Sequence, residues 1–181
     1  MHSTAIRSVV VIALVTTGLV GCTPTTDPVV EKILAADLGQ LTAVSDEVKG
    51  YCYPTELFCS NPIFEPAFSA PAEADPAGIC NAVIDLQIEI GLVAYSTEGE
   101  LANKVTNPDE VRDQCTTGLS QALEAEDGST YYQGTVLFDD GATDGVGKVT
   151  VISRTEDGYF VVFSVSRNLD RVGWISYENQ P

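Results

Sequence analysis

Histidine is nearly absent from this chain of 181 residues: the single one, His2, stands at the extreme N-terminus. The body of the sequence therefore offers no Ser-His-Asp or Cys-His arrangement and no histidine-ligated metal site. Basic residues are scarce as well, nine Lys and Arg against 26 Asp and Glu, for a formal charge of −17. Binding to phosphates needs the opposite sign, so nucleic acid is not an expected partner. The glycines form neither G-x-x-x-x-G-K-[ST] nor G-x-G-x-x-G, which leaves no nucleotide-binding signature. No S-x-x-K motif follows residue 21, so the Ser-Lys route also lacks its motif. Asp and Glu pairs are supplied by composition alone and say nothing for a glycosidase. No apolar run reaches the roughly 20 residues that a spanning helix needs. None of these patterns calls for a cofactor.

What is present begins with Ser8 to Val20, "SVVVIALVTTGLV", an uncharged and largely apolar run of 13 residues behind Arg7. That is the length of a signal-peptide core rather than a membrane span. The run ends in Leu19-Val20-Gly21-Cys22. This segment resembles the lipobox of bacterial lipoproteins, a resemblance confined to the first 22 residues but specific in the order of charge, apolar core and cysteine. It implies that residues 1–21 are removed, that the Cys22 thiol receives a diacylglyceryl group, and that Cys22 becomes an acylated N-terminus. Each buried methylene contributes about 0.8 kcal/mol, and two or more chains anchor durably where one binds marginally. The expected address is the extracytoplasmic face of a cell membrane. The composition resembles that of small lipoproteins of high-GC Gram-positive bacteria.

With Cys22 set aside, Cys52, Cys59, Cys80 and Cys115 remain, an even number in a domain expected to be exported. Such thiols pair, and four allow three connectivities that sequence leaves open. Cys52–Cys59 with Cys80–Cys115 is the preferred set, because Cys80 and Cys115 fall on apolar helical faces while the other two flank one loop. By loop-closure entropy the longer link would contribute about 4 kcal/mol and the shorter about 2.5 kcal/mol.

The chain after residue 21 suits one domain over 28–181, carried on a short tether, 22–27. The five residues Thr23 to Asp27 reach at most about 17 Å, which keeps the domain close to its membrane. This mature part holds all 26 acidic residues and eight of the basic ones, a formal charge of −18 (8 − 26). Its surface should be repelled by anionic headgroups over about 8–10 Å.

Apolar spacing predicts helices over about 28–49, as one helix or two short ones because Gly39 interrupts it, and over 76–90 and 108–124, the first two regions opening at Asp-Pro and the third at Asn107-Pro108. The segment 84–92, "IDLQIEIGL", also alternates like a strand, and the Asp75-Pro76 start decides for helix. Residues 50–75 carry four prolines and follow neither period. Tyr51, Tyr53, Phe58, Phe64 and Phe68 are expected to pack that loop under the domain, or else to form a surface for a partner. Strands are expected over about 131–138, 147–155, 159–167 and 172–177, with Asp157-Gly158 as a hairpin turn. Tyr159, Val161, Phe163 and Val165 should share one face with Val149 and Val151, leaving Phe160, Val162 and Ile152 on the other. The fold class is then α+β, N-terminal helices packed on a C-terminal four-stranded antiparallel β-meander. That order resembles the NTF2-like and cystatin-like classes, which implies no function.

Two features bear on function. The loop 139–147, "DDGATDGVG", offers Asp139, Asp140 and Asp144 as hard oxygen ligands for Ca²⁺, but departs from the EF-hand at Ala142 and Val151. A turn whose aspartates cap backbone N–H groups explains it better. Apolar residues on both faces of the expected sheet mean that the second face is covered or binds something. The resulting expectation is a lipid-anchored, non-enzymatic module that binds another protein or an envelope component. A small-ligand module serving a transporter and an envelope hydrolase stand behind it.

Overall fold

Among the described residues every helix starts at a short polar residue followed by proline. The computed structural model describes residues 27–45, 48–52, 62–97, 102–142 and 144–167. In it α1 (Pro28–Ala35) is capped by Asp27, whose side chain accepts from Val29 N–H at 3.0 Å. Asp75 caps α2 (Pro76–Ile90) by accepting from Ala77 and Gly78, and Asn107 caps α3 (Pro108–Ser120) by accepting from Asp109. Proline costs nothing at these first positions, since its missing N–H would have had no intrahelical partner, and each cap is worth about 1 kcal/mol.

Two helices are shorter than the spacing predicts. The apolar period runs on to Val48, yet α1 stops at Ala36, which turns to extended backbone, and Asp37 accepts from Gly39 N–H in a local turn. Leu38 and Leu41 are still buried, reached from a turn and the strand after it. Three- and four-residue spacing cannot distinguish the two. Likewise α3 ends at Gln121, and Leu123 leaves the stripe of Val111, Cys115 and Leu119 to join a strand. Segment 84–90 is helical, and Ile88 is left on the solvent side.

The strands are β1 (Thr42–Ala43), β2 (Ile63–Phe64), β3 (Ala67–Pro71), β4 (Ala94–Thr97), β5 (Asn103–Lys104), β6 (Ala122–Glu124), β7 (Thr130–Tyr132), β8 (Thr135–Asp139), β9 (Gly147–Thr155) and β10 (Gly158–Ser166). Eight of them form one sheet in the order β1-β3-β10-β9-β8-β4-β5, with β2 also paired to β10, and every pairing is antiparallel. Strands β6 and β7 make a separate hairpin. The class is thus mixed α and β, three helices with an antiparallel sheet. The sheet takes strands from 63–64 and 67–71, inside the stretch where neither period held, because their partners lie about a hundred residues away on β10. The expected strand 131–138 is broken at Gln133-Gly134, its first half pairing with β6 and its second with β9. The fourth expected strand, 172–177, lies outside the described residues, as do the lipobox segment and all of the tether except Asp27.

Register decides which side chains meet the helices. Glu156 and Asp157 form the turn, so Thr155 pairs with Gly158. Gly158 has φ +145°, and a Cβ there would stand 2.3 Å from the Ala70 carbonyl oxygen, so this corner admits only glycine. From that turn Tyr159, Val161, Phe163 and Val165 lie opposite Arg154, Ile152, Thr150 and Lys148 and share their face. Val149 and Val151, expected there, are on the other face, and Ile152 changes sides with them. A slip of one residue in the count moves every side chain across the sheet.

This inner face and the three helices bury one cluster that includes Val30, Ile33, Val83, Leu119, Ile152 and Phe163. Phe68 meets Phe163 edge to face at 5.8 Å. Cys80 and Cys115 are bonded to each other, tying α2 to α3 across 6.0 Å between Cα atoms. Cys52 is also disulfide-bonded, and Cys59, its expected partner, lies outside the described residues.

Candidate functional site

Two places on this scaffold gather functional groups: the outer face of the sheet and the loop between β8 and β9. On the outer face the same registers align Ala67, Val162, Val151 and Val136 in one row across four strands, with Phe160 and Phe138 beside it. None of these side chains belongs to the core cluster that contains the helices. Val149 is buried, whereas Phe160 is 44% exposed. Ser69, Ser96, Ser153 and Ser164 share the face, and among the described residues charge reaches it only near the margins, at Glu65, which accepts from the Ser164 hydroxyl at 3.0 Å, and at Lys104. An apolar band with a hydroxyl-bearing border is suited to burying another apolar surface.

Beside Ala67 the face runs into an open hollow of about 230 Å³ lined by Val44, Val48, Lys49, Tyr51 and Glu65. It is smaller than the ~300–1,000 Å³ that ligand pockets occupy. Of the aromatics expected to pack the 50–75 segment, Phe64 and Phe68 are buried, Tyr51 is 42% exposed, and Tyr53 and Phe58 lie outside the described residues.

The loop after β8 is held by its own aspartates. Asp139, Asp140 and Asp144 each accept a backbone N–H two residues ahead, from Gly141, Ala142 and Val146, all at 2.9 Å. The second oxygens of Asp139 and Asp144 converge on Lys148 Nζ, at 2.5 and 3.0 Å. The carboxylates considered for Ca²⁺ are thus turned to an ammonium group, and Asp140 does not join them. Among the described residues no three His, Cys, Asp or Glu side chains are grouped as metal ligands. Burial raises the Asp144 pKa, but the Lys148 hydrogen bond, the Val146 N–H and the lysine charge outweigh it and hold the carboxyl below its usual range.

Lys148 is 1% exposed and is a functional group that reading the sequence missed. A lysine at the start of an alternating strand reads as solvent-facing. Only the observed turn at Glu156-Asp157, which pairs Thr155 with Gly158, puts it opposite Val165 and therefore inside.

A third polar group closes the other end of the inner face. The Arg154 guanidinium lies 4.3 Å from the Tyr132 ring centre and 4.9 Å from that of Tyr159, and donates to the Leu119 carbonyl oxygen at 2.6 Å. Tyr159 is fully buried, and its hydroxyl has no hydrogen-bond partner among the described residues. Burial raises its pKa against the opposing charge of Arg154. This group ties α3 to β9 and β10.

Cys22 lies outside the described residues, and among the described residues no helix is long and apolar enough to cross a membrane. No protein-family model matches the chain, and no curated protein or solved structure does so either.

Proposed function

We propose that this protein is a lipid-anchored, extracytoplasmic envelope lipoprotein that acts as a non-enzymatic binding module, with the outer face of its sheet as the contact surface. The observation that carries this reading is the apolar band of Val136, Val151, Phe160 and Val162, which lies outside the core cluster in a chain of formal charge −17. The lipobox at Leu19-Val20-Gly21-Cys22 supplies the anchor. Asp27, five residues after Cys22, both caps α1 and accepts from Arg167 Nε at 3.1 Å, which ties this position to the domain. A module tethered that closely meets partners at or near the membrane surface. The hollow at Tyr51 gives a small-ligand module little room.

The test is cross-linking in a bacterium with lipoprotein processing. Wild type should pellet with membranes and form a discrete adduct. Cys22→Ser should move to the soluble fraction, and Phe160→Asp should stay at the membrane without the adduct. An unmodified Cys22 in a soluble wild type would remove the anchor. An adduct unchanged by Phe160→Asp would remove the surface.

A further inference from the structure

Lys148 and Asp139 stand directly opposite each other on β9 and β8, and their side chains are only 1% and 2% exposed. Lys148 Nζ lies 2.5 Å from Asp139 Oδ2 and 3.0 Å from Asp144 Oδ2. The backbone at the C-terminal end of α2 closes over the pair: Gly91 has φ +121°, and a Cβ there would lie 2.1 Å from Asp139 Oδ2. A lysine and a carboxylate in contact and shut off from water carry a desolvation cost that their attraction only partly offsets. Condensation requires the proton of their hydrogen bond to pass from Nζ to the carboxylate as the step begins, and contact at 2.5 Å away from water is the geometry that lets the two groups react with each other.

We propose that Lys148 and Asp139 are joined by an isopeptide bond, formed within the folded chain. The Nζ lone pair adds to Asp139 Cγ, and the Asp144 carboxylate, in contact with the same nitrogen, takes a proton from it. Returned to a hydroxyl on Cγ, that proton lets the C–O bond break and water leave as the C–N bond is completed. One ammonium and one carboxylate become one amide and one water, with no oxidant, metal or further reactant. The fold supplies proximity, which converts a slow bimolecular condensation into an intramolecular one. Asp144 is 40% exposed and gives the released water a path to solvent. The product replaces two buried charges with a neutral amide whose N–H the Asp144 carboxylate can accept.

Trypsin mapping of the purified full-length gene product, after denaturation, reduction and alkylation, tests this directly. After Arg112 the next basic residues are Lys148 and Arg154, so an acylated Lys148 yields the uncut peptide 113–154, lighter by one water. That peptide is the expected result, and Lys148→Arg should restore the cut at 148 with the full mass. Cleavage at Lys148 as complete as at Arg112, with unaltered peptide masses, would overturn the proposal. So would loss of water with Lys148 still cleaved, because a succinimide at Asp127-Gly128, Asp140-Gly141 or Asp144-Gly145 has the same mass change.

Discussion

The two faces of the central sheet are built from alternate residues of the same strands, and both are rich in apolar side chains. On β10 the inner series is Tyr159, Val161, Phe163 and Val165, all buried in the cluster with the helices, while the outer series includes Phe160 and Val162. The inner face is also the more polar of the two in one respect: it holds Lys148, Asp139, Thr150 and Arg154. Each has partners there, Thr150 donating to the Gln87 side-chain oxygen at 2.8 Å. Hydrophobicity alone does not mark the core side. The core lies where the helices can seat, and charge is tolerated inside where it is paired.

The sharpest way to break this comparison is to truncate one aromatic on each face. Phe163→Ala should cost about 3–5 kcal/mol, the range for a buried phenylalanine, while Phe160→Ala should cost about 1 kcal/mol or less because its ring is already part exposed. Urea unfolding of the two variants measures the difference directly. Equal losses would mean that the outer face is as much a core as the inner one.

A second perturbation acts only on the inner side. Replacing Cys80 and Cys115 together by alanine releases α2 from α3 and should lower stability by about 2–4 kcal/mol, read as a lower urea midpoint. Phe160 and the outer band should keep their exposure, which a quencher of fluorescence from Trp introduced at Phe160 in both backgrounds can report.

The smallest expected effect concerns Tyr159. Its folded pKa is raised by burial above the unfolded value of about 10. The stability this difference contributes is fully present below pH about 10 and is lost as pH rises through the folded pKa, because only the unfolded chain ionises freely in that window. Tyr159→Phe should be neutral or slightly stabilising at pH 7, since it removes a buried hydroxyl that has no partner among the described residues, and should flatten the alkaline fall. A wild type whose stability does not change between pH 8 and the alkaline limit would show that this hydroxyl reaches water.

Local chemistry was legible wherever a cap or turn acts within a few residues. Asp75-Pro76 and Gly91 bound α2 as expected, and Asp157-Gly158 placed the β9–β10 hairpin. Legibility failed at α1 and α3, where apolar spacing continued past the Asp37–Gly39 turn and past Gln121. Strands β2 and β3 escaped notice because two- and five-residue segments carry too little pattern without knowledge of β10. Of the candidate site, the aspartates of 139–144 were visible as turn formers, whereas the lysine they enclose was not.

By itself the sequence determined the charge, the single histidine at position 2, the lipobox-like start, the helix origins and the alternation of apolar residues on β9 and β10. These are consequences of composition or of interactions between near neighbours. Cys80–Cys115 is the pairing preferred from their apolar helical faces; tertiary structure alone decided which of two apolar faces became the core and that Lys148 meets Asp139 and Asp144. Each of those depends on pairing register or helix placement across distant parts of the chain, and a single-residue change in register reverses which side chains are inside.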